Sequence, residues 1–278
     1  MDRMEINTLK GIGFSKPYHK NKIFSSLPSL TTFTFAMVFL YIPIVVLIVY
    51  SFNDSKIIAS WQGFTFKYYI QLFHNRDILV ALQNTLIIGF LSTIISTVLG
   101  ITAALALENL KFKGKNIFSL LIFLPLVMPE ILLGVSLAIF FSTLKIEMGM
   151  TTVLISHITF CVSYTIIVIQ SRLSDFDYSL EEAAMDLGAN KFQIFWKIKL
   201  PLLFPGILAA SLLAFTLSLD DFVITFFTSG RGFNTLPVYV EGAIRRGTLT
   251  TINSLSTFLI GFTIFLAVIS YKIRKIIF

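Results

Sequence analysis

The chain alternates between long apolar blocks and short polar segments. Six apolar blocks lie at about 33–52, 80–107, 117–142, 150–170, 203–228 and 253–275. A helix needs about twenty apolar residues to cross the hydrocarbon core of a bilayer. The pattern therefore predicts an all-α membrane protein with six transmembrane helices. Pro43 interrupts the first block, and Pro125 and Pro129 interrupt the third, which membrane helices tolerate when neighbours satisfy the freed carbonyls.

A polar segment between the fourth and fifth blocks predicts a helix-turn-helix elbow. Ser179 and Glu182 have the spacing of a capping box at the start of a short helix. Gly188 can take the left-handed conformation that ends it. Asn190 can cap a second helix, and Pro201 is expected to end that helix and begin the next span. We refer to residues 179–201 as the elbow.

The elbow resembles the EAA loop of ABC-importer permeases. Its matching positions are Glu182-Ala183-Ala184, Gly188 and Ile198-Lys199-Leu200-Pro201. The resemblance implies the type I ABC-importer permease fold, with the elbow in a groove of a cytoplasmic ATPase. It assigns the coupling contacts to Glu182, Ala183, Ala184, Gly188 and Pro201. The alternative is a solvated loop helix with a chance EAA triplet.

Three further segments are similar to the spermidine/putrescine type of these permeases, over about residues 35–275. They are Tyr41-Ile42-Pro43-Ile44-Val45 through Asn53, Pro129-Glu130-Ile131 and Ser218-Leu219-Asp220-Asp221. The last two are less specific, because neighbouring importer families carry relatives of them. The resemblance implies inward transport of a polyamine with three kinds of partner: cytoplasmic ABC ATPase subunits, a second EAA-type permease and an extracytoplasmic solute-binding protein. It implies no cofactor, metal or catalytic residue in this chain.

Composition and charge support a membrane location and give an orientation. Only 13% of the residues are charged, against about a quarter in a soluble domain. Of the 22 Lys and Arg, 15 lie in residues 1–30, the 108–116 and 171–201 loops and the C-terminus. Positive charge concentrates in cytoplasmic loops, so we expect both termini and the elbow in the cytoplasm. The resemblance to ABC-importer permeases implies a bacterial inner membrane. We expect a cytoplasmic tail, residues 1–30, and a permease domain, residues 31–278, and we attribute the basic pI to loops, not to a nucleic-acid surface.

Three of the fifteen acidic residues fall inside apolar blocks: Glu130, Asp220 and Asp221. A charge at membrane depth costs about 2.5–3.5 kcal/mol on insertion scales and normally faces a cavity or a partner. Since no Lys or Arg lies at a comparable depth, these acids are candidates for the substrate path. Ser211, Ser218 and Thr225 recur every seven residues beside Asp221. We therefore expect Asp221 to face the path and Asp220 to contact a neighbouring helix or subunit, although any of the three could be structural.

Span two carries small residues at every fourth position: Ser92, Ser96, Gly100 and Ala104. Such a row lets helices pack closely in lipid, or it is merely tolerated there.

Missing motifs narrow the function. The chain has no G-x-x-x-x-G-K-[ST] for ATP and no H-E-x-x-H or G-x-S-x-G for hydrolysis. Two alternatives remain to the polyamine permease: a permease of the same build for a metal complex, thiamine or an amino-acid derivative, and a membrane-embedded enzyme or channel.

Overall fold

The computed structural model describes residues 27–55, 60–109, 113–247 and 249–277, which form helices and one isolated bridge between Asn53 and Phe64. The predicted tail, residues 1–30, lies almost entirely outside the described residues. The helices are α1 Leu27–Tyr50, α2 Lys67–His74, α3 Arg76–Asn109, α4 Lys115–Val127, α5 Glu130–Thr143, α6 Met150–Ser174, α7 Ser179–Asp186, α8 Lys191–Ile194, α9 Leu200–Asp220, α10 Val223–Thr228, α11 Leu236–Arg245 and α12 Leu249–Ile277. A π-helical turn, Phe195–Lys199, joins α8 to α9.

The residues divide into two compact units. In the unit formed by residues 1–65 and 253–278, Asn53 organises the segment after α1: its Nδ2 donates to Ser60 O and its Oδ1 accepts from Gln62 N. The unit formed by residues 66–252 contains the core, where α3, α6 and α9 pack on one another.

The core of this second unit buries hydroxyl groups among apolar side chains, and its outer surface is also strongly apolar. Ser92, Ser96, Thr165 and Ser218 are buried, whereas many large apolar side chains of α3 and α9 are exposed. The apolar outer surface suits a lipid environment, where buried hydroxyls hydrogen-bond between helices. The arrangement supports a multi-pass membrane protein.

Within the described residues, four helices are long and apolar enough to cross a membrane, and a fifth span results if α4 and α5 are one broken span. The described apolar part of α12 covers Thr250–Phe265. Six spans therefore stay a prediction.

Two predicted spans are broken. The third bends by 112° between α4 and α5, and α5 begins at Glu130 directly after Pro129, one of the two prolines that interrupt this block. The fifth was expected to be continuous from 203 to 228, and this is wrong: α9 ends at Asp220 and α10 starts at Val223. The Asp221 side chain accepts from the N–H groups of Ile224 and Thr225, so it caps a new helix where a continuous one was predicted.

The small-residue row of α3 packs against α6. A Cβ added at Gly100 would lie 2.8 Å from Thr165 Cβ, and the Thr165 hydroxyl donates to Ser96 O at 2.9 Å. Ala104 is also buried in this contact. Three residues of the row, Ser96, Gly100 and Ala104, therefore lie in a close contact between α3 and α6, which supports the close-packing interpretation, whereas Ser92 bonds to Ser218 of α9.

The elbow folds as two short helices around Gly188. Gly188 has φ +84°, and its N–H and that of Ala189 bond back to Met185 O and Ala184 O, which is a Schellman motif. Asn190 caps α8 by accepting from Gln193 N at 2.9 Å. Both predicted features, the left-handed glycine and the Asn190 cap, are confirmed.

Two local predictions about the elbow are wrong. Ser179 lies inside α7, and its backbone N–H donates to Asp177 Oδ1 at 3.0 Å. A carboxylate two residues upstream thus caps α7 in place of the Ser179–Glu182 box. Pro201 does not end a helix, because the chain is helical from Lys191 to Asp220. In the π turn, Leu200 N–H bonds to Phe195 O, so a wider turn directly precedes Pro201 and the helix continues past it.

Candidate functional site: an acidic cavity and the elbow

The three acids of the spans line one cavity of about 270 Å³. The two helix breaks bring them together: Glu130 is the first residue of α5, Asp220 is the last residue of α9, and Asp221 lies between α9 and α10. Phe160 and Tyr164 of α6 add aromatic walls. None of the described residues that line this cavity is basic. Carboxylates with aromatic faces form a suitable environment for an ammonium group.

The acids differ in exposure. Asp221 is 9% exposed, whereas Asp220 and Glu130 are exposed. The Asp221 carboxylate accepts from Ile224 N at 3.2 Å and from Thr225 N at 2.8 Å and Oγ1 at 2.7 Å. Asp221 is therefore held in one orientation by α10, while the other two carboxylates are available at the cavity surface.

His157 also contacts Asp221, and the sequence analysis missed it. The ring is fully buried on α6, and Nε2 lies 3.3 Å from Asp221 Oδ2 and 2.9 Å from Thr225 Oγ1. Nδ1 lies 2.7 Å from Ser218 Oγ. The polar stripe of Ser218 and Thr225 was visible in the sequence, but nothing local pointed to a partner about sixty residues upstream.

A second cavity of about 620 Å³ is larger but is less suited to a cation. It is lined by Arg76, Arg245 and Arg246, with Asp77 and Glu241 as its acids. Glu241 already accepts from Arg245 at 3.0 Å. The smaller, acidic cavity is therefore the better candidate for binding a positively charged solute.

The elbow presents an exposed surface. Glu182, Ala183, Gly188 and Pro201 are exposed, whereas Ala184 is buried within the chain. Of the two alanines, only Ala183 is therefore accessible to a partner. Large apolar side chains stand beside them in solvent: Met185, Leu187, Phe192 and Trp196. Leu187 is 89% exposed. Exposed apolar groups on a polar loop are typical of a protein-binding surface.

Beneath this surface, Lys199 is buried at the base of the elbow. Its Nζ lies 2.6 Å from Glu181 Oε1 and 5.5 and 5.6 Å from the ring centres of Phe176 and Tyr178. The Tyr178 hydroxyl donates to Glu108 Oε1 at 2.9 Å. These contacts tie the elbow to the end of α3.

Two groups directly before the elbow, Asp177 and Tyr178, have shifted pKa values. Burial raises the pKa of Tyr178 to about 12, and the hydrogen bond to Glu108 acts in the same direction. Hydrogen bonds from the side chain and backbone of Ser179 lower the pKa of Asp177. At neutral pH the raised pKa keeps the Tyr178 hydroxyl protonated, so that it can donate to Glu108. The lowered pKa keeps the Asp177 carboxylate ionised, so that it can accept from Ser179.

The sequence matches a known family and several known proteins. A family model described as "Binding-protein-dependent transport system inner membrane component" matches residues 96–277. The chain is 41% identical over 230 residues to the putrescine transport system permease protein PotI of Escherichia coli strain K12, covering 80% of this chain and 82% of that protein. It is 38% identical over 237 residues to the spermidine/putrescine transport system permease protein PotC of the same strain, with coverages of 85% and 90%.

Solved structures show the same fold. A bacterial ABC transporter involved in the import of the acidic polysaccharide alginate has a chain that superposes with a TM-score of 0.71 at 18% identity, covering 93% of this chain and 99% of that one. A second structure, of a bacterial alginate ABC transporter in complex with an alginate pentasaccharide-bound periplasmic protein, gives a TM-score of 0.63 at 18% identity, covering 83% and 88%.

Proposed function

Because the chain belongs to the family of inner membrane components of binding-protein-dependent transport systems, we propose that it forms half of a path that carries polyamines such as spermidine and putrescine into the cytoplasm. The cavity of Glu130, Asp220 and Asp221 carries the proposal. All three acids line this cavity, to which α4, α5, α6, α9 and α10 contribute residues. The names of PotI and PotC support the same class of solute.

The chemistry of a polyamine fits this cavity. Spermidine carries about three positive charges at neutral pH, and removing its hydration water in a low-dielectric path is costly unless fixed negative charge replaces the water. Carboxylates replace it, and the rings of Phe160 and Tyr164 can face an ammonium group. The alginate transporters share the fold but carry an acidic polymer, so the fold itself does not select the solute.

The proposed partners follow from the elbow and from the family. A cytoplasmic ABC ATPase would bind the exposed surface around Glu182, Ala183 and Gly188, and a motion of the ATPase would reach α9 through Pro201. The other half of the path would be a second EAA-type permease, and an extracytoplasmic binding protein would deliver the solute. The chain would be a transport subunit that hydrolyses no ATP itself, in a bacterial inner membrane with both termini in the cytoplasm.

Uptake by the complete complex tests the proposal. Radiolabelled spermidine and putrescine would be supplied to vesicles, with ATP on the side of the ATPase. We expect Asp221→Asn to reduce uptake by about tenfold or more, as expected for a lost interaction with a charged group. Glu130→Gln should have a smaller effect, and Asp220→Asn should act mainly on assembly.

A matched control is Glu147→Gln, which neutralises an exposed carboxylate on the loop after α5, outside the cavity. The abundance of each variant in the membrane is measured beside uptake. Wild-type polyamine uptake by both Asp221→Asn and Glu130→Gln would make the acids structural. ATP-dependent transport of another solute, with no polyamine uptake, would retain the importer and overturn the polyamine assignment.

A further inference from the structure

We propose that His157 is a positioning residue for the substrate path, because it holds the Asp221 carboxylate at the break between α9 and α10. The inference rests on the proposed function, since it matters for transport only if Asp221 binds the solute. It adds a residue from α6 that neither the family motifs nor the acidic pattern of the sequence includes.

The hydrogen bonds around His157 determine which nitrogen carries a proton. Thr225 Oγ1 donates its only proton to Asp221 Oδ2 at 2.7 Å, so it can only accept from His157 Nε2, 2.9 Å away. Nε2 must therefore bear a hydrogen. The same N–H points towards Asp221 Oδ2 at 3.3 Å.

The other ring nitrogen, Nδ1, continues the hydrogen-bond network towards α9 and α3. Ser92 Oγ donates to Ser218 Oγ at 3.0 Å, and Ser218 Oγ lies 2.7 Å from His157 Nδ1. With Nε2 protonated, a neutral ring accepts from Ser218 at Nδ1, so every polar atom of the network is paired. The network links α3, α9, α6 and α10 to one carboxylate oxygen. All of these side chains are buried.

This arrangement fixes the orientation of Asp221 without using all of its surface. Backbone and hydroxyl donors of α10 hold the carboxylate from the side of that helix. His157 approaches Oδ2 from the side of α6 and also bonds to Thr225. Asp221 still lines the cavity with Glu130 and Asp220. Losing the imidazole should let the carboxylate turn away from the solute and leave Thr225 without its donor.

A double-mutant cycle in the complete complex tests the inference. We expect His157→Leu to reduce ATP-dependent spermidine uptake by about tenfold, about 1.4 kcal/mol. In the Asp221→Asn background the same substitution should reduce uptake no further, because a residue that acts only through Asp221 loses its effect with it. Ser156→Ala is the matched control: Ser156 is equally buried on α6, but its hydroxyl bonds only to Thr152 O.

A pair of amide variants keeps the test valid if His157→Leu fails to assemble. The side-chain amide of Gln reaches the place of Nε2 and can donate to Thr225, whereas that of Asn reaches only the place of Nδ1. His157→Gln should therefore retain uptake within about threefold of wild type, and His157→Asn should behave as His157→Leu. Equal losses in the two amide variants at equal membrane abundance would overturn the inference.

The remaining outcomes separate the inference from the proposed function. Additive losses in the double variant would show that His157 acts independently of Asp221 and would overturn the positioning role alone. Wild-type uptake by His157→Leu would do the same. Wild-type uptake by Asp221→Asn would overturn both the substrate role of Asp221 and the positioning role that depends on it.

Discussion

Lys199 and Glu181 form an ion pair at the base of the elbow, with 2.6 Å between the ammonium nitrogen and Oε1. Lys199 is buried, and the rings of Phe176 and Tyr178 face its charge. The ion pair joins the first helix of the elbow to the turn that enters α9. The pair therefore connects the first helix of the elbow directly to the start of α9.

Removing this charge pair should weaken the elbow. Lys199→Met leaves the carboxylate of Glu181 without its partner, and we expect a loss of about 1–3 kcal/mol in the free energy of unfolding of the permease. Thermal unfolding of the purified complex measures it. Lys197→Met, an exposed lysine in the same π turn, is the control. Equal losses from the two substitutions would contradict a specific role for the pair.

Gly188 should be needed for coupling rather than for membrane insertion. It has φ +84°, which a β-branched residue adopts poorly, and no atom lies within 4 Å of an added Cβ. We expect Gly188→Val to distort the elbow and abolish transport, while Glu182→Lys does so by reversing an exposed charge. Co-purification of the ATPase with wild type but with neither variant would support the prediction.

Gly114 provides the control for backbone strain. It has φ +94°, also with open space around an added Cβ, and it lies in the loop before α4. Gly114→Val should therefore carry similar local strain but retain the ATPase. If Gly188→Val and Glu182→Lys both transport at the wild-type rate, the elbow has no part in coupling.

The orientation of the chain can be tested by cysteine labelling in Cys161→Ser protein, in which the single cysteine of the sequence has been removed. We expect Asn190→Cys and Gly114→Cys to react only from the cytoplasmic side. Asn234→Cys and Asp54→Cys should react from outside, because their loops carry few positive charges. Asp54 is preferable to the neighbouring Asn53, which is buried and holds its loop by hydrogen bonds. Labelling of position 190 from outside intact cells would reverse the proposed topology.

The features that depend on local sequence were predictable. The apolar blocks predicted the membrane helices, Gly188 and Asn190 predicted the turn of the elbow, and the EAA pattern indicated the family that the comparisons confirm. Pro129 marked the place where the third apolar block is interrupted, and α5 begins directly after it.

The features that depend on distant contacts were not predictable. No proline or glycine marks the break after Asp220, which depends on the Asp221 side chain capping α10. His157 looked like an isolated histidine because its partners lie on α9 and α10. Pro201 indicated a helix end, but the π turn before it allows the helix to continue. In each case a hydrogen bond in the folded chain overrides the local pattern.

The contact between α3 and α6 gives a prediction about stability. Gly100 lies against Thr165, and a methyl group added there would approach Thr165 Cβ to 2.8 Å, well inside ordinary contact distance. We expect Gly100→Ala to force the helices apart and to weaken the bond from Thr165 Oγ1 to Ser96 O. Overpacking of this kind costs about 1–3 kcal/mol.

Gly261→Ala is the control, because Gly261 is also within a helix but nothing lies within 4 Å of an added Cβ. Alanine has the higher helix propensity, so this variant should match or exceed the wild type in thermal stability. Gly100→Ala should unfold at a lower temperature and accumulate less in the membrane. Because the small-residue row is argued to act through steric fit, Gly100→Leu should be worse than Gly100→Ala. Equal stability of Gly100→Leu, Gly100→Ala and the wild type would show that the helices adjust freely, and that the row is merely tolerated.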